Sequence, residues 1–109
     1  MKLPADAIIA RAKLTGYLLR KLPENDKSGY LAQAGYTLEN PERLESDLRH
    51  QILTREAQFQ ELTDYGEKYI IHGELTGPNE QTLKVVTVWM TEDATSLTKF
   101  ITLYPAKTT

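Results

Sequence analysis

The sequence predicts an α+β domain: N-terminal helices packed on one face of a four-stranded antiparallel meander sheet. Three observations carry this. Through the first half of the chain, apolar residues recur at three- and four-residue spacing, the period of one helix face. After Ala57 the pattern alternates and becomes rich in β-branched residues, as strands require. The alternating runs are separated by short polar or Gly/Pro/Asn-rich stretches, which suit hairpins rather than crossovers. The 109 residues fit a single domain over 1–109, with a helical part at 5–55 and a sheet part at 56–105.

Residues 5–10, ADAIIA, fit either a short strand or a helix start. Residues 11–20 read as a helix carrying Leu14, Tyr17 and Leu18, weakened by Gly16 and ended by Pro23. Asp26 is the expected N-cap of a short helix bearing Tyr30, Leu31 and Ala34, closed by Gly35 at its C′ position. Asn40-Pro41 marks a third start, a capping side chain followed by proline at the first helical position. Leu44, Leu48 and Ile52 give that helix its apolar stripe.

Strands are expected at 58–62, 68–75, 82–90 and 99–104, the first at an edge, with a hairpin turn at 76–81. Alternation sorts their faces. The aliphatic sets Val86, Val88, Met90 and Ile101, Leu103 are assigned to the core. Pairing Ile71 with Val86 adds Tyr69 and Ile71 to that side. Lys68, His72, Thr87, Trp89, Thr102 and Tyr104 then share the open face, with Phe100 on the same side of its strand as Thr102 and Tyr104; a one-residue slip would reverse the second strand's assignment.

Composition narrows the function. With no cysteine, disulfides, thiolate metal sites and a cysteine nucleophile are excluded, which fits a reducing, cytoplasmic setting. No apolar run approaches the roughly 20 residues of a membrane span, and the N-terminus does not read as a signal peptide. The two histidines lie far apart without metal-ligand spacing, so neither a metal nor another cofactor is expected. Net charge is −2, yet Lys and Arg outnumber Asp and Glu nine to seven over residues 1–55 and fall to four against eight over 56–109. A basic helical side is one consequence; a solvated surface is the plainer one.

The open-face set contains what RNA cleavage through the 2′-hydroxyl needs. His72 can serve as base or acid, Lys68 can stabilise charge on the phosphate, and Thr87 completes the catalytic set as a contact to base or ribose. Lys27, Trp89, Thr102 and Tyr104 can contact phosphate, ribose or bases. Glu74 shares the face of His72 and could pair with it. The same residues would equally serve cross-strand packing with no chemistry. His50, late in the third helix, suits a capping or surface role.

The pattern YG-x-KY, then G-x-L-x-GPN, then V-x-T-x-W resembles an uncharacterised bacterial domain family of about this length, with KLPADAII, DKSGYLAQAGYTLENPERLESDLR and KFITLYP extending the match over nearly the whole chain. That family in turn resembles the small RNase toxins of the barnase–EndoU–colicin–RelE group. The resemblance implies helices before a four-stranded sheet whose open face is active, and a place in a toxin–antitoxin or immunity-type pair. It carries Lys27, Lys68, Tyr69, Gly77, Pro78, Thr87, Trp89 and Tyr104 into the motif. Asp26-Lys27 stands where many members have His-Lys, and Asn79-Glu80 where Asn-Gly is common. The expected function is therefore a toxin-like, RNA-directed domain with metal-independent ribonuclease activity, partnered by RNA and a small cognate antitoxin or immunity-like protein. A non-catalytic protein-binding module is the alternative.

Overall fold

In a computed structural model, which describes residues 1–24 and 26–106, helices occupy the first half and four antiparallel strands the second. Residue 25 and residues 107–109 of the expected domain lie outside the described residues. Helix α1 (Arg11–Lys13) runs into a π-helical turn at Leu14–Leu18. Helix α2 covers Ser28–Ala32, and α3 (Pro41–Asp47) runs into a second π-helical turn at Leu48–Ile52. Strands β1 (Gln58–Leu62), β2 (Gly66–Thr76), β3 (Thr82–Glu92) and β4 (Thr98–Pro105) form one sheet in sequence order.

The π-turns follow from the spacing of the leucines. Steps of four residues overshoot an α-helical turn of 3.6 residues by roughly 40° each. The widened turns, closed by Leu19 N–H to Leu14 C=O (2.8 Å) and Leu53 N–H to Leu48 C=O (2.9 Å), absorb that drift. Leu44, Leu48 and Ile52 consequently stay on one line and are all fully buried.

Local signals act partly as expected. Pro41 opens α3, but Asn40 does not cap it: its side chain accepts from Thr37 N–H (2.8 Å) and donates to Gly35 C=O (3.0 Å), bracing the turn between α2 and α3. Asp26 sits one residue before the α2 cap and accepts from Ser28 Oγ (2.8 Å) and Leu22 N–H (3.0 Å). Gly35 terminates α2 with φ +93°, where Tyr36 N–H bonds Leu31 C=O at 3.2 Å. The hairpin loop after β2 docks on this end. Asn79 Nδ2 donates to Gln33 C=O (2.9 Å), and a Cβ on Gly77 would lie 2.1 Å from the Ala34 carbonyl. Gly77-Pro78-Asn79 is thus a packing device joining sheet to helix. The ADAIIA segment is neither helix nor full strand; it makes a single parallel bridge, Ile8 to Lys99, along β4.

The register corrects the sequence reading of the faces. Ile71 pairs with Thr87, not Val86, a slip of one residue that turns β3 over. Tyr69 and Ile71 face the helices as expected, but their β3 companions are Leu83, Val85, Thr87 and Trp89. Burial favours the face bearing the largest apolar side chain, and Trp89 is fully buried against Phe100 in an edge-to-face contact (5.2 Å, 72°). Val86 and Val88 lie on the opposite face, outside the main core and screened by their neighbours there. On β4 a bulge between the Val88 and Trp89 partners lets both Phe100 and Leu103 reach the core, so Phe100 is not on the open face and Ile101 is only half-buried. Among the described residues no helix is long and apolar enough to cross a membrane.

Candidate anion-binding site

Lys27, just ahead of α2, reaches β4. Its ammonium donates to Tyr17 Oη at 2.9 Å and to Thr102 Oγ1 at 3.1 Å. Tyr17 comes from the first π-turn, a geometry that recurs at functional sites. Thr102 lies opposite Val88, just past the β4 bulge. Lys27 is half-buried, and no carboxylate stands within ion-pair distance of it among the described residues. The neighbouring Asp26 is occupied by Leu22 and Ser28.

An ammonium has three donors; two are spent on hydroxyls here, leaving one for a ligand. The remaining donor carries charge with no carboxylate partner among the described residues, so an anion can complete the arrangement. Tyr17 responds to the same field. The hydrogen bond from Lys27, then that with Thr102, and the nearby charges of Lys27 and Lys13 hold its phenol below the usual tyrosine range. Two hydroxyls and one lysine around one point can take a phosphate-type oxygen.

The other expected site residues disperse. Lys68, His72 and Tyr104 do lie on the open face. Lys68 is held by Glu61 at 3.4 Å, and its four-residue separation from His72 along β2 is roughly 13 Å. To share one phosphate, both side chains would have to lean toward each other along the strand. His72 and Tyr104 flank Val86 from either side, Tyr104 being exposed. Glu74 shares the face of His72, but no hydrogen bond or ion pair joins them. His50 bonds the Ser46 carbonyl through Nδ1 (2.7 Å) on the exposed end of the third helix.

Thr87 and Trp89 are corrected outright as open-face contacts, since both are fully buried. The indole N–H donates to Thr87 Oγ1 (2.8 Å), and that hydroxyl donates to Ile71 C=O (3.1 Å). The V-x-T-x-W pattern is therefore a satisfied polar chain inside the core. Tyr17 is the residue the sequence reading missed as a site member. It appeared only as part of an apolar helix stripe, and its partner Thr102 lies far away in sequence.

A shallow groove of about 500 Å³ between Leu19, Ala32, Tyr36 and Leu38 has only Lys21 and Glu39 as charged lining and gathers no converging groups. No group of three or more potential metal-ligating His, Cys, Asp or Glu residues occurs among the described residues.

Fold and site together define a class: a helix-covered antiparallel meander with a lysine set among hydroxyls at the last strand. The chain matches a family described as a domain of unknown function (DUF6883) over residues 2–107, and it belongs to that family. No curated protein and no solved structure matches it significantly.

Proposed function

We propose that this domain is RNA-directed and toxin-like, seating a phosphate of single-stranded RNA at Lys27, Tyr17 and Thr102. The observation that carries the reading is the half-buried Lys27 ammonium, bonded to two hydroxyls and with no carboxylate partner among the described residues. Tyr104, two residues from Thr102, stands roughly 7 Å along β4 and offers an exposed ring on which a base can stack. The same site suits metal-independent cleavage. Water takes the 2′-hydroxyl proton, the Tyr17 and Thr102 hydroxyls orient the phosphate, and the 2′ oxygen bonds to phosphorus. The bond to the 5′ oxygen breaks, and that oxygen takes a proton from water. Lys27 stabilises the charge that grows on the phosphate. His72, roughly 12 Å from Thr102 by strand geometry, contacts a neighbouring nucleotide in this arrangement.

The test is cleavage of total RNA in EDTA by the wild type and by Lys27→Met, Tyr17→Phe and His72→Ala. Fragments lost with Lys27→Met and Tyr17→Phe but kept with His72→Ala support this assignment. Loss with His72→Ala alone would return the chemistry to β2. Intact RNA would refute the ribonuclease, leaving RNA binding to be judged by affinity. A protein-binding role has separate support in the bare β1 edge.

A further inference from the structure

The two edges of the sheet are treated differently. On β4, Ile8 N–H bonds Thr98 C=O and Phe100 N–H bonds Ile8 C=O, both at 2.8 Å. Lys27 and Tyr17 reach the middle of that strand at Thr102, and Pro105 ends it. Backbone, side chains and a proline thus blunt the β4 edge, as soluble proteins commonly require.

On β1 cover is confined to its start, where Ala57 N–H bonds Met1 C=O at 2.7 Å just ahead of Gln58. All five of its residues, Gln58–Leu62, are exposed, and β1 stands last in the sheet with no strand beyond it. Phe59, Leu62 and nearby Tyr65 are 58%, 69% and 76% exposed. Residues 56–67 contain no proline, lysine or arginine; the guards β1 does carry are its short length, Glu61 and a bulge between Phe59 and Glu61, which leave its outer backbone uncovered by any strand.

The charge at this edge indicates what fits it. Residues 56–67 carry Glu56, Glu61, Asp64 and Glu67 with no cation among them. Compensation is partial: Glu56 meets the N-terminal amine, Glu61 meets Lys68 at a long 3.4 Å, and Glu67 accepts from the Tyr69 hydroxyl. Asp64 has no ionic partner among the described residues. A second copy would bring another set of carboxylates against this one, and like charges facing each other across a strand pair are unfavourable.

The register also divides the edge by face. Glu61 lies opposite Lys68 on the open side, whereas Phe59 lies opposite Tyr69 on the helix side and packs on its ring at 5.9 Å. An incoming strand would meet a carboxylate on one face and apolar surface on the other.

We propose that the β1 edge docks an extended segment of a protein partner, alternating basic and apolar residues, as a fifth strand of the sheet. Main-chain bonds along the bare edge would supply affinity, and Glu61, Asp64 and Phe59 the selectivity. This surface is separate from the Lys27 site, at the opposite edge of the sheet, so each proposal can fail without the other.

The test pans a random dodecapeptide phage library against the full chain, then titrates the enriched peptides, made synthetically, into isotope-labelled protein. Expected are peptides of net positive charge whose amide shifts centre on Gln58–Leu62. Their affinity should fall about tenfold in a Glu61→Lys/Asp64→Lys double variant that keeps the wild-type Tm, and should weaken with salt. Absence of enrichment, enriched peptides without a basic bias, shifts centred on the open face, or unchanged affinity in the double variant would each overturn the proposal. Self-association through β1 seen by sedimentation would overturn it in favour of a second copy.

Discussion

Replacing Thr87 by valine tests whether V-x-T-x-W is structural. The side chain is fully buried, and its hydroxyl is the acceptor for Trp89 Nε1–H at 2.8 Å. Valine keeps the volume and strands the indole donor away from water. An unsatisfied buried donor is destabilising by roughly 1–3 kcal/mol. A middle value of about 2 kcal/mol, against an unfolding entropy near 2 cal/mol/K per residue, lowers Tm by roughly 9 °C. Thr87→Ser is the informative companion: it removes one buried methyl, about 1 kcal/mol, but keeps the acceptor. Urea unfolding followed by far-ultraviolet circular dichroism should therefore rank wild type above Ser and Ser above Val, with similar m-values. A valine variant as stable as the serine one, or within about 0.5 kcal/mol of wild type, would refute the reasoning and reopen a ligand role for Thr87.

Three further outcomes are expected. Glu80 holds φ +70° in the hairpin loop; Glu80→Gly should raise stability by about 0.5 kcal/mol in the same assay, since glycine takes that conformation without strain. Gly77→Ala should lower it by about 3 kcal/mol or prevent folding, because the new methyl meets the Ala34 carbonyl backbone at 2.1 Å, which no side-chain movement relieves. Burial, and the Asp47 carboxylate that accepts its hydroxyl at 2.6 Å, push the Tyr36 phenol far above the usual tyrosine range. The native state thus retains a proton that the unfolded chain releases from about pH 10 upward. Stability from Tyr36 is complete below that value and lost as pH rises, so the alkaline fall in Tm should be shallower in Tyr36→Phe.

The layer arrangement was legible because it rests on local signals. The four-residue leucine spacing, Pro41, Gly35 and the β-branched run from Val85 to Val88 each act over a few residues. Both helix periodicity and strand alternation survive any single error in placement. The faces of β3 were not legible, because register is decided by burial summed over the whole hairpin. Val86, Val88 and Met90 look more apolar than Thr87 and Trp89 until Thr87 is seen to satisfy the indole from within the core. The same holds for the site. Lys27 and Thr102 stood out separately, but their meeting with Tyr17 depends on a β-bulge with no residue-level signature in this chain and on a π-turn whose only trace is the four-residue leucine spacing.

The Lys27 site is tested most directly by the affinity of a fluorescein-labelled single-stranded RNA for the wild type and for Lys27→Met, measured by anisotropy at low salt in EDTA. The account predicts saturable binding that weakens about tenfold in Lys27→Met, which keeps the stem of the side chain and loses its charge. Equal affinity for the two proteins, or no binding by either, would contradict it.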